Sequence, residues 1–290
     1  MGSAAQGHLV LGEFLKAKRA GVSPEDVGLP DSGRPRRVPG LRREEVAQLA
    51  DVSVDYYTRL EQGRTTQASD AVLSGIAKAL RLTPAEWEYL RLCARAPVRP
   101  VSPPPADSVS PATQALLDSM VRVPAVVLGR RMDVIGWNAM GSALFTDLSR
   151  IEPRHRNLAR MVFLEPRVRA LYPDWRDVAG GFVERLRMDA TRYPDDPRLH
   201  ALVDELSERD PDFRHWWARH AVRGVTSGRK RVRHPVAGEL TLDWQALRIT
   251  AAPEQTIIVH TAAEDTGTRR GFEALAQWAD HLAASARTAG

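Results

Sequence analysis

With 290 residues the chain is long enough for two domains that each bury a core, and 41 Lys and Arg against 36 Asp and Glu leave a net charge of +5 that mildly favours polyanionic partners. A single cysteine, Cys93, excludes an intramolecular disulfide framework, and no run approaches the roughly 18 apolar residues of a membrane-spanning helix. Residues Met1 to Gly7 carry neither the basic start nor the apolar core of a cleavable signal, so a soluble, cytoplasmic protein without a membrane partner is expected.

In chain order, Leu11, Phe14, Leu15 and Lys18 follow helical spacing, and Gly21 closes that helix. Ser23-Pro24-Glu25-Asp26 offers a cap, a proline for the first turn and two carboxylates suited to a helix start. Gly28 to Gly40 reads as a loop, and its Arg34, Arg36 and Arg37 could follow a phosphate backbone or enter a minor groove.

Arg43 to Gly63 places apolar residues at Val46, Ala50, Val52, Tyr57 and Leu60, the spacing two helices need across a tight turn, with small Ala47 where the backbones cross. Ser53 can cap the second helix and Gly63 can end it. Its outer face then presents Val54, Asp55, Tyr56 and Arg59, side chains able to reach base edges in a major groove. Arg36, Arg37, Arg42, Arg43, Ser53 and Arg64 are the candidates for phosphate contact, which positions a protein without specifying sequence. The segment, with its Leu60-Glu-Gln-Gly63 ending, resembles the phage-repressor and Cro class of helix-turn-helix proteins. That class usually carries glycine in the turn where this chain has Asp51, a residue tolerant of left-handed backbone.

Ser69 can cap a helix over Asp70 to Leu80, whose Val72, Leu73, Ile76, Ala77 and Leu80 share a face. Thr83-Pro84-Ala85-Glu86 is a capping box opening a last helix through Trp87, Leu90 and Leu92, on which Cys93 reads as a packed thiol. Residues 8–95 are thus expected to form an all-α bundle of five helices. Residues 96–110 hold the run Pro103-Pro104-Pro105 and form a stiff linker, and residues 111–290 form the second domain.

In that second domain, strand signals flank a polar turn between Val123 and Trp137, and another pair lies at Gly238–Leu247 and Thr256–Thr261. Asn138 begins a helix through Met140, Leu144 and Phe145, and further helices fall around Arg154–Leu164, Asp177–Thr191, Pro197–Ser207 and Asp210–His220. The basic run Arg229 to His234 reads as the solvated face of a hairpin, with anion binding as the alternative. The expected class is α+β, with an antiparallel sheet covered by helices on one face.

Gly40-Leu-Arg-Arg-Glu-Glu-Val-Ala, Tyr56-Tyr57, Leu60-Glu-Gln-Gly-Arg64, Val134-Ile-Gly-Trp-Asn138, Leu171-Tyr-Pro-Asp-Trp175 and His234-Pro, in that order, resemble actinobacterial regulators of the MmyB-like family. The resemblance implies a PAS-like C-terminal domain that binds a small ligand. Trp137, Phe163, Trp175, Phe182, Phe213 and Trp217 are candidate apolar lining, with Asn138 and His220 as polar contacts.

No catalytic grouping emerges: His155-Arg156-Asn157 lacks the Asp of a kinase catalytic loop, and no glycine-rich nucleotide fingerprint follows a strand. His215 and His220 lack companions at metal-ligand spacing, so neither metal nor cofactor is expected. The sequence therefore predicts a homodimeric transcription regulator, not an enzyme, that binds double-stranded DNA and senses a small, largely apolar molecule. The competing readings are a C-terminal domain that only dimerises or binds a protein partner, and an enzyme domain fused to a helix-turn-helix.

Overall fold

Helical periodicity before the proline-rich stretch becomes α1 (Ser3–Ala20), α2 (Arg43–Leu49), α3 (Val54–Glu61), α4 (Asp70–Ala79) and α5 (Pro84–Ala94) in a computed structural model describing residues 3–29, 40–65, 68–94, 108–218, 227–264 and 266–288. The capping residues do what their chemistry dictates. The Ser53 hydroxyl accepts from the Tyr56 amide at 3.1 Å and Ser69 from Val72 at 3.3 Å. Thr83 and Glu86 exchange bonds, the Thr83 amide donating to Oε2 at 2.7 Å and the Glu86 amide to Oγ1 at 3.4 Å. Ser23 and Asp26 likewise close on each other, but around a single 3-10 turn, Glu25–Val27, and not a full helix. Gly28, at φ +72°, closes that turn, its amide donating to the Glu25 carbonyl at 3.2 Å.

Leu11, Phe14, Leu15, Val46, Tyr57, Leu60, Leu73, Ile76 and Leu90 are buried in one cluster, each large side chain contributing about 1.5–3 kcal/mol. Phe14 and Tyr89 meet edge to face at 5.0 Å. Packing divides the chain into two units: Met1–Val101 with Arg187–His200 and His215–Gly224, and Ser102–Leu186 with Ala201–Arg214 and Val225–Gly290. Of the expected linker, residues 96–107 lie outside the described residues.

The second unit is built on β1 (Ala125–Leu128), β2 (Val134–Trp137), β3 (Ser227–His234), β4 (Gly238–Arg248) and β5 (Thr256–Ala262), an antiparallel sheet in the order β2-β1-β5-β4-β3. Its helices are α6 (Pro111–Ser119), α7 (Ala139–Phe145), α8 (Leu158–Leu164), α9 (Pro166–Ala170) and α13 (Thr266–Thr288), while the residues of α10 (Trp175–Arg192), α11 (Pro197–Arg209) and α12 (Pro211–Ala218) are divided between the two units. The mixed α+β class and antiparallel sheet agree with the sequence. The covering differs: Leu117 of α6 packs on the face of Ala125, Val127 and Ile257, whereas α7 and α13 lie on the other. Helix α13, not anticipated, buries Thr268, Gly271, Leu275 and Ala279 at helical spacing; a Cβ on Gly271 would come within 2.2 Å of the Leu240 side chain, so only glycine allows this approach to β4.

Register decides which side chains share a face. Lys230 opposes Leu242, Leu242 opposes Ala262 and Trp244 opposes His260, so Lys230 and His260 point to the same side as buried Val232, Leu240 and Leu242. The intervening Arg229, Arg231 and Arg233 point away and are exposed.

Candidate DNA-reading head and ligand domain

Two left-handed residues frame α3. Asp51, at φ +54°, turns the chain out of α2: its amide donates to the Gln48 carbonyl at 3.3 Å and the Val52 amide to Ala47 at 3.0 Å. Gly63, at φ +66°, ends α3, its amide reaching Leu60 at 3.1 Å and the Arg64 amide reaching Arg59 at 2.8 Å. Against the end of α2 runs α4, where a Cβ on Gly75 would meet the Ala50 carbonyl oxygen at 2.7 Å.

Between these turns, Tyr57, Leu60 and Glu61 are buried, while Ser53, Val54, Asp55 and Arg59 are exposed and Tyr56 is half-buried. Among the described residues Asp55 and Arg59 join no ion pair. Arg43 is exposed yet donates to Glu61 at 3.2 and 3.4 Å, the Arg42 amide donates to Glu45 at 2.7 Å, and Arg64 is exposed. Arg36 and Arg37 lie outside the described residues.

The same Glu61 carboxylate takes both Arg19 donors, Nε at 3.1 Å and Nη2 at 2.7 Å, while Arg19 Nη1 reaches the Leu41 carbonyl at 2.7 Å. Burial alone would lower the Arg19 pKa, but the Glu61 hydrogen bonds and charge outweigh it and hold the guanidinium more firmly protonated. Sequence reasoning missed this clamp. The Leu-Glu-x-Gly ending marks Glu61, but nothing in local spacing joins it to position 19.

In the second unit, three ligand candidates come together: Phe163 meets Trp175 edge to face at 5.5 Å and Phe213 at 5.1 Å. Trp175 also donates Nε1–H to the Val162 carbonyl at 3.0 Å and stacks under Arg169 at 3.4 Å. Trp137 stands apart on β2 beneath the Arg156 guanidinium at 5.2 Å, and Phe182 is half-buried on α10. Trp217 belongs to the first unit, under Arg187 at 4.4 Å, and His220 lies outside the described residues. Asn138 is occupied by backbone: Oδ1 accepts from Gly141 at 2.8 Å and Ala125 at 3.1 Å, and Nδ2 faces the Val123, Met120 and Leu117 carbonyls at 2.8, 2.9 and 3.3 Å.

The sequence marked Lys230 and His234 only as part of a basic run and a family motif, and did not mark His260 at all. His234 accepts at Nδ1 from the Val236 and Ala237 amides and donates Nε2–H to the Ala143 carbonyl at 2.9 Å; burial lowers its pKa despite that carbonyl. His260, without exposure, is held well below the usual imidazole range by burial and then by the Lys230 charge. Burial alone pushes Lys230 down to about 7. Alternation on β3 carried the signal for both Lys230 and His234.

No group of three or more His, Cys, Asp and Glu able to hold a metal occurs among the described residues, and none of their helices is long and apolar enough to cross a membrane.

A short helix set outward by a left-handed turn, in a helical head sharing its chain with an antiparallel-sheet domain, defines a DNA-binding transcription regulator of the helix-turn-helix class. Residues 10–90 match a helix-turn-helix domain model. Residues 109–288 match the MmyB-like transcription regulator ligand binding domain, and the chain belongs to that family. No curated protein matches it.

Proposed function

We propose that α3 enters the major groove of B-form duplex, where Val54, Asp55, Tyr56 and Arg59 meet base edges. Arg36, Arg37, Arg42, Arg43, Ser53 and Arg64 hold the flanking phosphates. The observation that carries this reading is the contrast on α3: its inner charge, Glu61, is tied by two arginines, whereas outer Asp55 and Arg59 are exposed and take part in no ion pair among the described residues. The Ser53 hydroxyl accepts from the Tyr56 amide and so keeps its proton for a phosphate oxygen.

One short helix covers few base pairs, so two copies on a near-palindromic site supply affinity as a homodimer. The C-terminal domain takes a small, largely apolar molecule near the Phe163, Trp175 and Phe213 cluster. Such a ligand regulates only if it favours one arrangement of the two reading heads. Footprinting of the full chain on genomic fragments at moderate salt, with and without metabolite extract, tests the reading. A protected, dyad-symmetric site whose affinity shifts with extract is expected; equal affinity for random duplex overturns it. Sedimentation at the same concentrations tests the dimer.

A further inference from the structure

The two faces of β3 treat their cations differently. Outward, each arginine has its carboxylate: Arg229 with Asp243 at 2.7 and 2.9 Å, Arg231 with Asp174 at 2.8 and 2.7 Å, Arg233 with Glu239 at 3.2 and 3.0 Å. Inward, Lys230 pairs with no carboxylate of the described residues. Its Nζ lies 5.6 Å from the Phe145 ring centre and 5.5 Å from that of Tyr172. His260 of β5 stands edge-on to the same Phe145 ring at 5.5 Å, and its buried ring nitrogens make no hydrogen bond of ordinary geometry, with the Pro124 carbonyl as their one weak backbone acceptor among the described residues. The Tyr172 hydroxyl is buried and also without one.

Lys230 of β3 thus links two poorly satisfied polar side chains, lying over the Tyr172 ring from the turn after α9 and over the Phe145 ring that His260 of β5 also meets. Enclosing such groups unpaired costs stability, so a partner that satisfies all of them is favoured strongly. A neutral molecule could accept from Tyr172 and His260 but would leave the lysine charge unbalanced. An oxyanion has the lone pairs and the charge for every donor present. Lys230 keeps partial exposure, which leaves the cluster a route to solvent.

We propose that Lys230, His260 and Tyr172 form an anion subsite that holds the carboxylate or phosphate of a small organic ligand, whose apolar remainder lies against the neighbouring aromatic side chains. This rests on the ligand-binding reading above and adds an acidic group as the feature recognised. Lys230 supplies the balancing charge, Tyr172 an O–H donor and His260 an N–H donor from its neutral ring.

The test titrates the full chain at pH 7 with 3-phenylpropionate, phenyl phosphate and uncharged 3-phenylpropan-1-ol, followed by calorimetry and thermal melting. At least one anion binds and raises the Tm, and the alcohol binds about tenfold weaker or worse, as expected for loss of a charged hydrogen bond. Whichever of the two anions binds more tightly identifies the head group. Lys230→Met abolishes the preference for acid over alcohol, Lys230→Arg retains it, and Tyr172→Phe weakens anion binding severalfold. Equal binding of acid and alcohol, or an undiminished preference in a folded Lys230→Met variant, overturns the anion subsite and leaves ligand binding standing. Failure of all three probes to bind overturns both readings.

Discussion

Arg19 and Glu61 form a two-point ion pair in the interior of the reading head, at 2.7 and 3.1 Å, joining the end of α1 to the end of the helix proposed to read DNA. Both are buried, so removing the carboxylate strands a guanidinium away from water. Glu61→Ala is expected to cost about 3–5 kcal/mol by denaturant unfolding. Arg19→Met with Glu61→Leu together should recover most of that, since neither charge then remains; a double-mutant cycle without coupling would show the pair is idle.

Arg59→Ala should lower affinity for the preferred site by about 1–3 kcal/mol and flatten discrimination among base substitutions at one position. Arg64→Ala should weaken binding to all duplexes alike and reduce the slope of log affinity against log salt by about one. Competition assays at several salt concentrations separate the two behaviours. An Arg59→Ala protein with unaltered base preference would remove Arg59 from the readout.

Asp51 occupies left-handed backbone that a β-branched residue resists. Asp51→Val is expected to lose about 1–2 kcal/mol, and Asp51→Gly to stay within about 1 kcal/mol of the parent because relieved strain is offset by a floppier unfolded chain. Thermal melting of both decides. Equal losses would mean the conformation is not what the side chain supports.

Asn138 needs both halves of its amide. Asn138→Asp keeps the acceptor for Gly141 and Ala125 but turns an oxygen toward the Val123 and Met120 carbonyls. It should cost about 2–4 kcal/mol, more than loss of a simple helix cap. Melting of the second domain, followed by near-ultraviolet circular dichroism, measures this.

Acid should loosen the sheet domain through its histidines. The folded-state pKa values of His234 and His260 lie below 6.5, so the unfolded chain takes up protons first. Their contribution is complete above about pH 6.5 and is lost as pH falls toward the folded values, with a ceiling of about 1.4 kcal/mol per pH unit for each. Between pH 6.5 and 5 the wild-type Tm should fall more steeply than that of His260→Phe. Parallel curves would exclude His260 from the effect.

Local chemistry made the reading head legible. Ser53, Ser69 and the Thr83–Glu86 box cap their helices as written, and Asp51 adopts the left-handed turn its side chain tolerates. The clamp on Glu61 was hidden because its partner lies 42 positions away. In the sheet domain, the basic run was legible as a hairpin face, but its inward members required the register with β4 and β5. Helix α13 and the placement of α6 escaped for the same reason: which face of the sheet needs covering is a property of tertiary packing.

The alternating arginines of β3 do more than solvate an edge. Sliding β3 by one residue against β4 would bury three guanidinium groups and expel Lys230 into solvent. Arg229 with Asp243 and Arg233 with Glu239 join the two strands directly, so the hydrated side of the hairpin works as an alignment gauge. What looks like decoration on the surface keeps the inward ammonium at its address.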